Sequence, residues 1–321
     1  MKNINVRIHA TVHGKNRRQG RIVGVVVLHY RFLRETMKCL ASLLAADPAP
    51  DHIVIVNNES DPDTRQELDR RFKSELDVTL LHLERNHGFS GGMNRGINYL
   101  LSTQPVDVVL LLNNDTTVDP NFLSAMSECL AARSGYHLAT PKILYDGTDI
   151  IWSTGERVCY PLLLARRNTE NSDGLGHAWR KNINAITGCA MAVRREVFDR
   201  IGLFDENYFA YVEDVDFCLR AHSAGFRFAY CPQSIVFHKA SKSLGEFSPA
   251  KVYLNVRNKA YFIKKNMPSV LWPISWLWYL STISFWVVRA LAAGKIDVVR
   301  SVILGGRDFL KHRMGPPPWQ S

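Results

Sequence analysis

The sequence predicts an α/β protein with a mostly parallel sheet, flanking helices and an apolar C-terminal helical segment. Three observations predict it. Short apolar, β-branched runs recur at 21–30, 52–58, 78–83 and 108–112, the right length for buried strands and too short for free-standing helices. Segments with helical spacing alternate with these runs, and strand-helix alternation in short units implies parallel strands joined by right-handed crossovers. Near the C-terminus, Asn266 to Val288 is a run of 23 residues without a charge.

In chain order, residues 1–20 are polar and basic without the apolar core of a signal peptide, so a flexible, non-secretory tail is expected. Arg21 to Tyr30 is the first strand. Glu35 to Ala46 follows with Met37, Leu40, Leu43 and Leu44 at helical spacing. His52 to Asn58 is the second strand and Asp61 to Phe72 a charged surface helix. After a third strand, Val78 to Leu83, glycines 88, 91, 92 and 96 crowd what reads as a loop running into a helix. Such a loop lets backbone approach a bulky anion at a helix N-terminus, although it is not the G-x-G-x-x-G dinucleotide fingerprint.

The fourth strand, Val108 to Leu112, ends in Asn113, Asn114 and Asp115. Ligands of open α/β sheets bind beyond such strand ends, and a hard cation carrying a diphosphate needs few protein carboxylates. Asp119 and Pro120 read as a helix start, which assigns Asp119 to capping. Tyr136 to Tyr145 and Asp149 to Tyr160 are weakly patterned strands, and Pro161 to Arg180 a mobile loop. Ile186 to Val193 returns to a buried strand, and Arg194 to Ile201 is a short helix closed by Gly202.

Leu203 to Gly225 carries a second acidic cluster. Asp214 and Asp216 lie roughly 200° apart around a helix, so they cannot share one cleft. Asp216 can pair with Arg220 on the surface, while Asp214, in the first turn, is favoured as a carboxylate by the helix dipole and suits a general base. Phe228 to His238 is a strand that delivers His238 at its end, before a Ser-, Lys- and Gly-containing loop.

Composition bounds the partners. The 321 residues include 40 Lys and Arg against 30 Asp and Glu, a net charge of +10, which favours anions such as nucleotides or phospholipid head groups. The basic residues are spread without an aromatic platform, so no nucleic-acid partner is expected. The six cysteines, 39, 129, 159, 189, 218 and 231, form no C-x-x-C pair, so neither a zinc module nor a disulfide framework is expected, and a reducing cytoplasm is.

From about Arg21 to Asn266 the chain resembles the inverting glycosyltransferases of the GT-A fold, in the large second family that includes bacterial rhamnosyl and galactofuranosyl transferases. The segments VVVLHY, VNNES, NHGFSGGMNRG with LLNND, GCAMAVRREVFDRIGLFDENYFAYVEDVDFCLRAHSAG and VFHKASKSLG carry the resemblance. It implies Asp115 and His238 as ligands of Mg²⁺ or Mn²⁺, Asp214 as catalytic base and Glu213 as an acceptor contact. His29, Tyr30, Asn57, Asn58, Asn86, Gly88, Phe89, Gly91, Gly92, Asn94, Asn113 and Asn114 match the nucleotide-sugar cradle. Arg257, in an R-N element, becomes a candidate for a phosphate or acceptor contact. Two positions depart from the family: NND replaces D-x-D, and Asn57 stands where an aspartate usually meets the nucleobase.

The expected function is transfer of a sugar from a nucleoside diphosphate, dTDP-rhamnose or a UDP-sugar, to a hydroxyl of a glycan or polyprenyl-linked acceptor. Alternatives are a sugar-1-phosphate nucleotidyltransferase, for which no basic glycine loop follows the first strand, and a non-catalytic nucleotide- or membrane-binding protein. Three regions follow: a tail over 1–20, a catalytic domain over 21–265 and a membrane-associated region over 266–321. The uncharged run would measure about 34 Å as a helix, enough to cross a bilayer. Pro268, Pro273, four tryptophans and basic flanks on both sides favour a helix or broken hairpin lying in the inner leaflet. A helix packed on the catalytic domain or in a homo-oligomer interface is the alternative.

Overall fold

The computed structural model describes residues 21–59, 61–75, 77–131, 135–162, 164–167, 183–239 and 248–319. The expected N-terminal tail, most of the loop over 161–180 and most of the KASKSLG segment lie outside them. The first half is four parallel units: β1 (Val23–His29), α1 (Leu33–Leu44), β2 (His52–Asn57), α2 (Pro62–Phe72), β3 (Val78–His82), α3 (Gly88–Thr103) and β4 (Val108–Asn113). Then come β5 (Thr116–Val118), α4 (Phe122–Cys129), β6 (Leu138–Tyr145), β7 (Ile151–Ser153), β8 (Glu156–Cys159), β9 (Leu164–Arg167), β10 (Ala190–Arg194), α5 (Arg195–Ile201), α6 (Glu213–Ser223) and β11 (Phe228–His238). Three helices close the chain: α7 (Pro249–Asn266), α8 (Trp272–Ala292) and α9 (Ile296–Leu310).

The main sheet runs β3-β2-β1-β4-β10-β6-β11-β5, with β7 on β6. It is parallel from β3 to β4. β10 is then antiparallel to both β4 and β6, and β11 is again parallel to β6. The C-terminal ends of β1, β2, β4, β6 and β11 therefore share one edge with the start of β10.

Side-chain alternation builds two cores on opposite faces. Val25, Val27, Ile55, Leu110 and Leu112 pack against α1, α2 and α4. Val26, Leu28, Val56, Val109 and Leu111 pack against α3, α5 and α6. Because both faces are covered, the central strands read as continuous apolar runs.

Several boundaries differ from expectation for local reasons. The glycine-rich stretch is helix from Gly88, not loop. A Cβ at Gly92 would come within 2.4 Å of Leu28 Cδ1, and one at Gly96 within 2.4 Å of Val26 Cγ1. These glycines let α3 lie close on β1. TTV is a strand, β5, and α4 starts three residues after Asp119, whose Oδ1 accepts the Asn121 amide at 2.9 Å. Cys129 and Cys231, 102 residues apart, form a disulfide. Sequence spacing hid the pair because α4 reaches β11 only through the fold.

The C-terminal run is one helix, with Pro273 in its first turn, and not a broken hairpin. Its Ser275, Tyr279 and Ala290 are buried, and Tyr279 Oη donates to the Val256 carbonyl at 3.0 Å. α9 packs on α7, where Tyr253 Oη donates to Asp308 Oδ2 at 2.9 Å. Away from these contacts Leu277 (71% exposed), Phe285 (61%) and Val288 (65%) leave an apolar outer face on α8.

Candidate active site

Asp115 sits in the turn between β4 and β5, where Thr116 Oγ1 donates to the Asn113 carbonyl at 2.7 Å. Because His238 pairs with Thr116 in the β5–β11 ladder, the two strand ends arrive together, and the Lys239 amide donates to the Asp115 carbonyl at 3.0 Å. His238 Nε2 lies 3.2 Å from Asp115 Oδ1, with both side chains about a tenth exposed (9% and 11%). Trp152 presses edge-on against the His238 ring, centroids 4.6 Å apart.

This pair fits a divalent ion. Two neighbouring ligands of an octahedral Mg²⁺-sized ion at about 2.1 Å are themselves about 3.0 Å apart, close to the observed separation. Among the described residues no third His, Cys, Asp or Glu joins them. An ion held there would take its other ligands from water and a bound diphosphate.

Across β4 and β10 stands the second acidic group. A Cβ at Gly188 would lie 2.8 Å from Phe89 Cζ and 3.8 Å from Asp214 Cβ, so Gly188 lets strand and helix close up. Its amide donates to Asp214 Oδ2 at 3.0 Å, and the Val215 amide to Oδ1 at 2.8 Å. One residue on, Cys189 accepts the Asn113 amide at 2.9 Å, which ties the Asp214 anchor to the strand end that carries Asp115. Two amide donors at a helix start thus hold both oxygens of the partly exposed Asp214 carboxylate. Glu213 is the opposite case. It is buried, its Oε2 has no hydrogen-bond partner among the described residues, and burial followed by the nearby Asp214 raises its pKa well above the usual carboxylate range.

The turn leading into α6 is strained, with Phe209, Tyr211 and Val212 at φ of 64°, 70° and 76°. Such angles are costly for a β-branched residue and persist only where the surroundings impose them. The brace is on α7. Asn258 Nδ2 donates to the carbonyls of Tyr208, Ala210 and Tyr211, each at 2.8 Å. Arg257 is fully buried, and its guanidinium donates to Gly315 O at 2.6 Å and Tyr208 O at 3.1 Å. The structure thus spends Arg257 on main-chain carbonyls. Asn258, which sequence reasoning passed over, holds the turn that aims Asp214.

Asp216 is not the surface partner expected of it. It is fully buried, receiving Tyr208 Oη at 3.1 Å, Arg220 Nε at 2.9 Å, Lys265 Nζ at 3.1 Å and Asn266 Nδ2 at 2.9 Å.

The cradle residues divide into bracing and open groups. Asn58 donates to Asn86 Oδ1 and the Gly88 carbonyl, both at 2.9 Å, and accepts the His87 amide at 2.8 Å; Asn86 Oδ1 accepts the Gly88 amide at 2.8 Å. Gly88 itself takes φ 72°, and a Cβ there would meet the Phe209 carbonyl at 2.3 Å. Asn94 clamps Phe204 through both main-chain groups, at 2.9 and 3.0 Å. Asn57 is buried, its Oδ1 accepting the Glu59 amide at 3.1 Å and its Nδ2 lying 3.1 Å from His82 Nδ1. Gly91 and Gly92 serve the packing of α3.

On the open side, Tyr30 is partly exposed beneath the Arg31 guanidinium, and Asn113, Asn114 and Phe89 are also partly exposed. His29 is fully buried, with Nδ1 2.7 Å from Thr36 Oγ1, and burial lowers its pKa. Asn114 Nδ2 donates to the same Thr36 oxygen at 2.9 Å. Thr36 had no signal in the sequence beyond its place on the buried face of α1.

The mixed Rossmann-like sheet thus brings an acid-histidine pair and a helix-borne carboxylate to one edge. The chain belongs to the family described as glycosyltransferase-like family 2, whose model matches residues 20–258. It is 26% identical over 302 residues to the low-salt glycan biosynthesis hexosyltransferase of Haloferax volcanii, covering 92% of this chain and 93% of that protein. It is also 26% identical to the N-acetylglucosaminyl-diphospho-decaprenol L-rhamnosyltransferase of Mycobacterium tuberculosis, covering 79% and 88%. Among solved structures, a mannosyltransferase from Pyrobaculum calidifontis in complex with GDP-Man and Mn²⁺ superposes with a TM-score of 0.55 at 15% identity, over 92% of this chain and 84% of that one.

Proposed function

We propose that this glycosyltransferase moves a sugar from a nucleoside diphosphate to a hydroxyl of a lipid-linked glycan, inverting the anomeric carbon in a single displacement. The observation that carries the reading is the meeting of Asp214, tied through Gly188, and the Asp115–His238 pair on one sheet edge. Asp214 accepts the proton of the acceptor hydroxyl as that oxygen attacks, the role a positioned, ionised carboxylate suits. The bond from the anomeric carbon to the phosphate oxygen breaks, and its electron pair leaves with the nucleoside diphosphate. Asp115 and His238 would hold Mg²⁺ or Mn²⁺, which when bound supplies the positive charge a departing diphosphate needs. Glu213, buried beside the base with its pKa raised, is the acceptor contact. Tyr30, Asn113 and Asn114 face the nucleotide, while the buried His29 and Arg257 are positioning residues.

The L-rhamnosyl and diphospho-decaprenol parts of the Mycobacterium tuberculosis relative's name support dTDP-rhamnose as first donor and a polyprenyl diphosphate sugar as acceptor, with a UDP-sugar next. The exposed apolar face of α8 supports a catalytic domain over 21–265 attached in plane, through 266–321, to the cytoplasmic face of the membrane.

The test is transfer from labelled dTDP-rhamnose and UDP-sugars, with the product's anomeric configuration read by NMR. Asp214→Asn should bind donor normally and turn over at least about 10²-fold more slowly. Asp115→Ala and His238→Ala should weaken divalent-ion-dependent donor binding less than additively, because they share one ion. Retention of configuration, or full activity in chelator, would overturn the corresponding part.

A further inference from the structure

A cavity of about 340 Å³ lies between α7, α8 and the turn at Pro161 and Leu162. That is the size of a small-molecule site. Val252, Val256 and Ile263 line it from α7, and Trp278, Ile283 and Trp286 from α8. Of its polar side chains, Asn255, Tyr279 and Thr282 already donate to main-chain carbonyls, and two others stand out. Ser275, 1% exposed, has a hydroxyl without a hydrogen-bond partner among the described residues. Lys259 also lines the cavity, and burial lowers its pKa, with no carboxylate opposing it among the described residues. A half-buried ammonium in apolar surroundings is costly until an anion joins it.

The position of the cavity says which anion. Lys251, on its wall, has Nζ 5.9 Å over the ring of Tyr211, three residues before Asp214. From Lys251 to Ile263 the wall runs about 18 Å along α7, at 1.5 Å per residue. One end therefore abuts the turn that carries the base, and the wall runs on from there toward the end of α7.

We propose that this cavity binds a long-chain isoprenoid phosphate through its phosphate and first isoprene units, with Lys251 and Lys259 on the phosphate and the aromatic walls on the chain. It is the lipid subsite for the acceptor, and rests on the lipid-linked acceptor reading above. Its occupant is recognised by chemistry the sheet edge does not provide.

The test uses full-length protein in phosphatidylethanolamine vesicles carrying a C55 isoprenoid phosphate with a diazirine in its first isoprene units. Photolabel should fall in residues 251–263 and 275–286 and be competed by unlabelled isoprenoid phosphate, not by phosphatidylglycerol. Lys259→Gln should cut labelling about tenfold, the worth of one hydrogen bond to a charged group, while Lys259→Arg restores it. Thr282→Trp, which fills the cavity from α8, should also cut it. Label elsewhere, competition by phosphatidylglycerol, or labelling indifferent to both variants would overturn the proposal. Thermal shift with nucleotide sugar on the same protein separates the two readings. Lost donor binding with labelling intact would sink the catalytic reading alone, whereas transfer to a short water-soluble acceptor without pocket labelling would sink the lipid site alone.

Discussion

Three neighbouring acids on one helix start, Glu213, Asp214 and Asp216, have three different jobs because their surroundings differ. Asp216 is a buried hub joining α6 to α7, and removing one partner of a buried ion pair costs about 3–5 kcal/mol. Asp216→Asn should therefore lower the unfolding free energy measured by urea titration by that order, while Asp214→Asn leaves it nearly unchanged. Equal stability of the two variants would show that the hub is not structural. Glu213 tests the linkage of charge to folding. Its folded pKa is raised, so the native state binds more protons than the unfolded state above the usual carboxylate pKa, and stability falls as pH rises. Glu213→Gln removes that dependence, so its gain in melting temperature over the parent should grow between about pH 5 and pH 8. A pH-independent difference would mean that Glu213 is ionised in the fold.

At the scale of elements, the glycines of α3 and α9 make a matched experiment. A methyl at position 96 would meet two β-branched strand residues, Val26 at 2.4 Å and Val56 at 2.8 Å, whereas position 306 has nothing within 4 Å. Overpacking costs about 1–3 kcal/mol and Gly→Ala in an open helix position gains up to about 1 kcal/mol. Gly96→Ala should destabilise and Gly306→Ala stabilise, as read by denaturant titration. The same stretch shows what the sequence could and could not disclose. Strands β1, β2 and β4 were legible because burial on both faces leaves uninterrupted apolar runs with polar exits, which also located Asp115, and β11 was legible from the apolar residues on either side of Pro232, Gln233 and Ser234. Gly88 to Gly96 was misread as loop because glycine's low helix propensity is a local signal, while the packing that demands glycine there belongs to β1. Asp216 was misread for the same kind of reason: Arg220 is four residues away, but Lys265 and Asn266 come from α7. β5, only three residues long, exists because β11 offers it a ladder.

For the whole molecule, the question is what α8 faces. α9 covers much of α7, so truncation after Lys265 would expose Val252, Val256 and their neighbours and confound unfolding with release. Substitutions on the outer face of α8 avoid this. Leu277→Asp with Phe285→Asp should leave the melting temperature within a few degrees and strongly reduce flotation with anionic vesicles, since each places a charge in the interfacial apolar layer. Unchanged flotation would assign that face to a protein contact. The proposed in-plane attachment carries a kinetic consequence. An enzyme that rides on a bilayer meets its acceptor by lateral diffusion, so the relevant concentration is molecules per unit of surface. Diluting acceptor-bearing vesicles with buffer should leave the initial rate per bound enzyme unchanged, whereas diluting the acceptor with inert lipid at fixed bulk concentration should slow it in proportion to mole fraction.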